Sequence, residues 1–396
     1  MQILPYKTIG IIGGGQLGRM LALSAKAMGY YVAVLDPTIN CPCEQVSDMA
    51  ITANYNDMDA IKQLAEICDI ITYEFENIDY NALTYLEKNA YLPQGSHVLN
   101  ITQHRYKEKT AIKNMGIPVP DFCLIESKEQ LMQIFGINQD GEYTKKPEQN
   151  PLLAKTWQCG LFPCVLKTTT GGYDGKGQVV IKSPDDLPAA LALASNNECI
   201  LEKWMHFSKE VSVIVARSTT GEVSVFPVAE NEHVNNILHK SIVPARISST
   251  VEEKAIAYGK KIAEELNAIG LLAIEMFVVG DEIYINELAP RPHNSGHYTM
   301  DACYTSQFEQ HIRAVCGLPL GDTSLYTPAI MVNILGDHMN KDSKHDLDAY
   351  MPLLATGKIH LYGKADAVDK RKMGHVNLLG DVDASLQLID SCKIWT

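Results

Sequence analysis

The chain has 396 residues, a length that calls for more than one packed core. With 46% hydrophobic and 20% charged residues it has the composition of a globular protein, and no stretch approaches the ~18 uninterrupted apolar residues of a membrane span. A formal net charge of −13 argues against general nucleic-acid binding, yet leaves room for one anion held by a local cluster of cations.

Residues 7–13 read as a short buried strand, and Lys7 with no small-residue cleavage site speaks against a signal peptide. Leu17, Met20, Leu21, Leu23 and Met28 then repeat at helical spacing over 16–28, and Gly29 ends that helix. Tyr31–Leu35 is a second strand closed by Asp36-Pro37. Further helices are expected over 59–68 and 80–90, with a strand over 70–75. The region to about residue 100 therefore reads as an α/β domain of doubly wound type. A helix near 104–115 ends at Gly116, before the proline-rich linker 117–120. Residues 138–158 form a polar excursion of unassigned role. From 161 to 291 the pattern is α+β, with strands at 163–169, 177–182, 199–204, 209–216, 223–228, 271–279 and 283–289 and a helix over 251–268. A helix near 301–316 leads to a small last domain with hairpin signals at 357–380. The expected domains are 1–104, 105–316 and 317–396. The ten cysteines are scattered, with only Cys41 and Cys43 close together, and read as reduced thiols of a cytoplasmic enzyme.

Several motifs along this order bear chemistry. Gly13-Gly14-Gly15-Gln16-Leu17-Gly18 follows a strand, precedes a helix and has Asp36 further on. That pattern suits a phosphate-bearing ligand, with a dinucleotide or a purely structural turn as the other readings. Glu74 and Glu76 follow a strand at the ligand-binding edge of an open sheet, and alternation puts them on one side if the strand continues. Lys167 ends an apolar strand and enters the glycine-rich stretch 171–178, whose backbone N–H groups can fold over phosphates. Glu210 lies on a strictly alternating strand and suits ribose hydroxyls, although a Glu-Lys strand is most often simply solvated. Glu275 and the Asn286-Glu287 pair flank a tight turn at Gly280-Asp281. Paired carboxylates on otherwise apolar strands need cations, and oxygen-only donors suit magnesium bridging phosphates, with salt bridges to lysines as the other reading. His293 and His297 have the i, i+4 spacing of a zinc helix, but Pro292 and Gly296 disfavour one, so Arg291 and its neighbours read as an anion-binding loop. Lys364, Lys370, Arg371 and Lys372 gather cations late in an acidic chain, as a solvated patch, around a second anion or as a lid on the active site.

Taken together, the Lys-strand, glycine-rich hairpin, Glu-Lys hinge and Glu…Asn-Glu pair resemble the ATP-grasp superfamily. Within it, residues 13–20 (GGGQLGRM), 73–77 (YEFEN), 171–178 (GGYDGKGQ), 286–299 (NELAPRPHNSGHYT) and 371–375 (RKMGH) resemble the 5-(carboxyamino)imidazole ribonucleotide synthase family of bacterial purine biosynthesis. The resemblance runs in order along nearly the whole chain. It implies a pre-ATP-grasp domain, a two-lobed ATP-grasp domain and a small C-terminal domain. It also implies N-carboxylation of aminoimidazole ribonucleotide by ATP and bicarbonate, through carboxyphosphate, in a cytoplasmic homodimer that uses Mg²⁺ or Mn²⁺ and neither nucleic acid nor membrane. Arg105, Lys167, Gly172, Tyr173, Asp174, Gly175, Lys176, Gly177, Gln178, Glu202, Lys203, Trp204, Met205, Glu210, His233 and Asn286 are expected around ATP. Glu275 and Glu287 are expected on the metal. Gln16, Leu17, Glu76, Tyr173, Asp174, Lys364, Arg371 and Lys372 are expected around the ribonucleotide, and Arg291, His293 and Asn294 beside bicarbonate. Asp174 is expected to orient or deprotonate the substrate amine. The chain departs from the family where members often carry an arginine, within Thr168–Thr170 and within Val368–Lys370. Other readings are a formate-dependent glycinamide ribonucleotide transformylase, an NAD-dependent oxidoreductase and a non-catalytic nucleotide sensor.

Overall fold

A computed structural model describes residues 1–138, 162–172, 176–339 and 348–392. All but the first residue of the polar excursion 138–158 lie outside the described residues. The chain forms two compact units, one comprising Met1–Leu99, Lys209–Glu275 and Leu288–Thr396, the other Asn100–Ser208 and Met276–Glu287. Among the described residues no helix is long and apolar enough to cross a membrane.

The first unit opens with β1 (Thr8–Ile12), β2 (Tyr31–Asp36), β3 (Met49–Thr52) and β4 (Ile70–Tyr73). They form an all-parallel sheet in the order β3-β2-β1-β4. Ile9, Ile11, Ile12, Val32 and Leu35 are fully buried, as a parallel sheet covered on both faces demands. The helices Gln16–Ala27, Met58–Ile67 and Tyr80–Asn89 sit within two residues of their expected limits. Gly29, at φ +86°, lets the chain leave the first helix in a left-handed turn. Strand β3 was not expected: its four residues are too short to show a period.

The helix expected over 301–316 is instead two pieces, Thr299–Ala302 and Gln307–Val315. Ser306 starts the second piece by accepting a hydrogen bond from the Glu309 N–H. This piece presents His311 to the parallel sheet, where Nε2 lies 2.8 Å from Thr72 Oγ1. His311 is fully buried, its Nδ1 has no hydrogen-bond partner, and burial pulls its pKa down to about 3. Unfolded histidine titrates near 6.5, so between about pH 6.5 and 3 the unfolded chain binds the extra proton. Stability from this group is therefore complete above that window and drains away as pH falls. His311→Gln should flatten the acid limb of a denaturant-midpoint versus pH curve, by up to ~1.4 kcal/mol per pH unit.

In the second unit, β5 (Phe122–Ile125), β6 (Cys164–Thr168), β7 (Gln178–Ile181) and β8 (Cys199–Lys203) pair antiparallel in the order β5-β8-β6-β7. Leu166, Ile181 and Leu201 pack with Leu131, Phe135 and Leu187 from the helices Lys128–Phe135 and Leu187–Ala194. Lys167 stands opposite Gln178 in the β6–β7 ladder, so the glycine-rich stretch is the tip of a hairpin, as its sequence indicated.

The remaining strands are β9 (Lys209–Arg217), β10 (Val223–Val225), β11 (Ala229–Val234), β12 (Ile237–Val243), β13 (Gly270–Val279), β14 (Glu282–Ala289), β15 (Ala329–Leu335), β16 (Gly357–Leu361) and β17 (Lys372–Leu379). They form one sheet in the order β14-β13-β9-β11-β12-β15-β17-β16, with β10 beside β9. Hairpin β11–β12 turns at Asn235-Asn236, both at positive φ (51° and 64°), the signature of a two-residue type I′ turn. The helix Ser249–Glu265 packs on β9 and buries Val251, Ala255 and Ile262. Gly259 keeps that contact close, since a Cβ there would meet Val213 and Val215 at 3.1 Å. Strand β15 lies between β12 and β17, so the last hairpin extends the sheet.

Candidate active site

The second unit gathers charge at the base of its glycine hairpin. Lys167, at the end of β6, donates to Glu202 Oε2 on the neighbouring β8 at 2.8 Å. Glu202 is buried at 3% exposure. Burial raises its pKa, but Lys109, Lys167 and Arg105 outweigh burial and bring it to about 2. Lys109, 2% exposed, stands 3.5 Å from Glu202 Oε1 and donates to the Asn286 carbonyl at 2.9 Å. Burial pulls its ammonium downward in pKa, and Glu202 opposes that pull. Arg105, one turn earlier on the helix Arg105–Asn114, donates to Glu287 Oε2 and to the Gly172 carbonyl, both at 2.9 Å. One guanidinium thus ties the Glu287 carboxylate to the root of the hairpin tip. A Cβ on Gly172 would lie 2.8 Å from the Lys176 carbonyl, and Gly177 has φ +69°, so the tip closes only with glycines there. Lys176 and Gly177 lead into β7 at Gln178, while Tyr173, Asp174 and Gly175 lie outside the described residues. Lys203, Trp204 and Met205 leave β8, with the Lys203 and Trp204 N–H groups donated to Asp121 and Pro163 carbonyls.

The first unit contributes a second group. A bulge between Glu232 and His233 breaks the β11 register, and His233 Nδ1 reaches Glu210 Oε2 on β9 at 2.8 Å. Burial lowers the His233 pKa, but the Glu210 contact outweighs burial and leaves it raised. Glu275 Oε1, on β13, lies 3.1 Å from His293 Nε2. Burial pushes this carboxyl up, but the His293 hydrogen bond holds it below the usual range. Arg291 Nε is 2.8 Å from Glu76 Oε1. Asn294 exchanges two amide hydrogen bonds with Asn333 of β15, at 3.0 and 2.7 Å. Gln307 clamps the same loop, accepting from the His293 N–H at 2.9 Å and donating to its carbonyl at 2.8 Å. On the β16–β17 hairpin Lys364 Nζ donates to the Lys372 carbonyl at 2.6 Å and lies 5.6 Å from the Tyr362 ring centroid. Burial, then the Arg371 charge, bring its pKa down to about 7. Arg371 is exposed and Lys372 half-buried.

The N-terminal glycine turn differs from expectation. Strand β4 ends at Tyr73, so Glu74 and Glu76 do not continue its alternation. Glu76 pairs with Arg291, whereas Glu74 folds back under the turn. The Gly15 and Gly18 N–H groups donate to the two Glu74 oxygens, both at 2.5 Å. The Gly14 N–H donates to Asp36 Oδ2 at 2.7 Å. Three donors that a dinucleotide pyrophosphate would use are thus taken by the chain's own carboxylates. Gln16 is half-buried and Leu17 largely buried at the start of the following helix. Each orphaned amide in a Glu74→Ala variant should cost about 1–3 kcal/mol. Its melting temperature should fall clearly further than that of Glu76→Ala, read by thermal denaturation.

Lys109, Gln307 and the Glu74 cap escaped sequence reading. Lys109 carried a usable signal, being four residues after Arg105 and so on the same helix face. Gln307 and Glu74 act through backbone groups, which leave no mark in sequence spacing. Among the described residues no group of three or more His, Cys, Asp or Glu gathers as a metal site.

Comparison with known proteins is consistent along the whole chain. Residues 6–103 match a ribonucleotide synthetase preATP-grasp domain, 142–308 an ATP-grasp domain, and 329–388 a phosphoribosylaminoimidazole carboxylase C-terminal domain. The N5-carboxyaminoimidazole ribonucleotide synthase of Bacillus subtilis (strain 168) is 53% identical over 378 residues, 95% of this chain and 92% of the relative. That of Staphylococcus aureus (strain MRSA252) is 41% identical over 388 residues, 96% and 95% of the two chains. A solved ADP complex of an N5-carboxyaminoimidazole ribonucleotide synthetase aligns with TM-score 0.89 at 56% identity, covering 100% of this chain and 98% of that one. The Aspergillus clavatus N5-carboxyaminoimidazole synthase, in complex with ADP and 5-aminoimidazole ribonucleotide, aligns with TM-score 0.85 at 30% identity, covering 98% of each chain.

Proposed function

The chain belongs to the N5-carboxyaminoimidazole ribonucleotide synthase family, and on that premise we propose how its own residues serve the reaction. It is an ATP-grasp ligase that N-carboxylates 5-aminoimidazole ribonucleotide at the expense of ATP, in purine biosynthesis. The carboxyl donor in our reading is bicarbonate, which attacks the γ-phosphate of ATP to give carboxyphosphate and ADP. The exocyclic amine of the ribonucleotide then attacks the carboxyl carbon, or carbon dioxide released from it, with loss of phosphate.

One observation carries this reading: Arg105 joins Glu287 to the backbone of the glycine hairpin, beside Lys167. That combination is what a triphosphate needs, namely fixed cations, a cover of N–H groups and a carboxylate for the accompanying cation. Lys167 and Arg105 take the phosphate oxygens, with Gly172 to Gln178 as the cover. Lys203 to Met205 hold the base, and Glu210 with His233 the ribose. The carboxylates of Glu275 and Glu287 are hard oxygen donors that suit magnesium, with manganese as a substitute, and Asn286 precedes Glu287 on β14. A magnesium ion held by these residues would offset the negative charge of the phosphates. Arg291 and Asn294 take bicarbonate, with His293 beside them. Gln16, Leu17, Glu76, Tyr173, Lys364, Arg371 and Lys372 take the ribonucleotide, whose phosphate relies on the hairpin cations because the glycine amides are already engaged. Asp174 orients or deprotonates the amine, so Asp174→Ala should fold and bind ATP without making product. The domain limits 1–104, 105–316 and 317–396, a homodimer and a cytoplasmic location complete the proposal.

The test is ADP release with and without 5-aminoimidazole ribonucleotide and bicarbonate. Dependence on both is expected; a requirement for formate, or reduction of NAD, would overturn it.

A further inference from the structure

A line of buried polar side chains runs from the core of the β-sheet to His293. Ser241 Oγ on β12 donates to Asn231 Oδ1 on β11 at 2.7 Å. Asn231 Nδ2 donates to Ser212 Oγ on β9 at 2.9 Å. Ser212 Oγ donates to Ser295 Oγ at 2.7 Å. Ser295 Oγ is 2.8 Å from His293 Nδ1. Exposure along the line runs from 0% at Ser241 and 1% at Ser212 and Ser295 to 7% at Asn231. No water can exchange these partners easily, and each hydroxyl has one proton to give.

The direction of the line is fixed at one end. The Ser295 backbone N–H also points at His293 Nδ1, at 3.3 Å. A peptide N–H can only donate, so Nδ1 must accept. Ser295 receives its own hydrogen bond from Ser212 and has its proton free for Nδ1. Every link then agrees in direction from Ser241 to the ring. Reversing the line would set an Nδ1–H against the Ser295 N–H, two donors facing each other with no acceptor between. The ring proton is left on Nε2, which faces Glu275 Oε1 at 3.1 Å. The His293 main chain cannot drift, since Gln307 holds both its N–H and its carbonyl.

We propose that the Ser241–Asn231–Ser212–Ser295 relay locks His293 as the neutral Nε2–H tautomer, making it a fixed donor that orients Glu275 and not a base toward the carboxyl donor. Ser295, Ser212 and His293 are on this account positioning residues. The part that concerns the tautomer stands on the hydrogen bonds alone; the part that concerns catalysis rests on the proposed role of Glu275 as a magnesium ligand. An orienting hydrogen bond onto a metal-binding side chain typically governs affinity by 10–100-fold.

Two measurements test it. Ring-nitrogen NMR of isotope-labelled histidine, with His293 assigned by its loss in His293→Gln, should give the Nε2–H signature in the metal-free protein at neutral pH. In Ser295→Ala the backbone N–H of residue 295 still faces Nδ1, so the tautomer should hold while the Nδ1 resonance moves toward that of a more weakly hydrogen-bonded nitrogen; an unmoved resonance overturns the part played by the relay. An Nδ1–H ring or an imidazolium in the parent protein overturns the proposal. Magnesium half-saturation is the second readout: His293→Ala should raise it about tenfold or more, while His293→Gln, which keeps an N–H donor and cannot act as a base, should stay within about threefold of the parent. A glutamine variant as deficient as the alanine variant also overturns it. If Glu275→Ala leaves the magnesium requirement unchanged, the reading of Glu275 as a ligand fails instead, and the NMR result still decides the tautomer.

Discussion

Lys167→Met should cut ADP release at saturating substrates by about 10²–10³-fold, the typical loss when one fixed donor to a developing charge is removed. The fold should survive, because Glu202 keeps Lys109 at 3.5 Å and is not left as a lone buried charge. Circular dichroism and a thermal melt close to those of the parent would show that the loss lies in the chemistry. Near-normal turnover would remove Lys167 from the phosphate site.

Arg291→Ala is the second large effect, expected to suppress bicarbonate-dependent turnover by about 10²-fold or more while ADP binding stays intact. Arg291 already holds Glu76 through Nε at 2.8 Å, so its fork is oriented before any anion arrives. Arg291→Lys should rescue little, because an ammonium cannot reproduce that planar fork. Steady-state rates against bicarbonate concentration, with calorimetry on ADP, separate the two sites. Loss of ADP affinity in Arg291→Ala would argue that the arginine serves the nucleotide instead.

The doubly wound opening and the glycine hairpin were legible in sequence because their signals are local. A buried parallel strand is a run of apolar residues, and a hairpin tip is a run of glycines between two such strands. Strand β11 was missed for a physical reason. Its segment AENEHV looks like a solvated loop, yet Glu230 is 3% exposed and is held by Lys209 at 2.6 Å and by Arg246 through Nε and Nη2. A buried carboxylate with distant partners hides its own burial from any periodicity argument. The turn Asn235-Asn236 was a signal that went unread. At the site, the side chains proposed to address ligands were picked out by residue type and motif. Those that address the protein were not: Glu74 serves two glycine amides, Gln307 serves the His293 main chain, and Lys109 serves a carbonyl of β14. Their partners are fixed only once the chain has folded.

The position of β15 in the large sheet matters while the protein is still being made. Strand β12 (ILHKSIV) is buried along its whole length, and its outer side is covered by β15, roughly 85 residues further along the chain. At a translation speed of ~5–20 residues per second, that edge waits on the order of 4–17 s for its neighbour to leave the ribosome. During that interval an apolar strand shows an unpaired row of N–H and carbonyl groups, a template for any other nascent chain. A premature stop before residue 329 should therefore yield insoluble protein, even though most residues proposed for the ATP site would already have been synthesised.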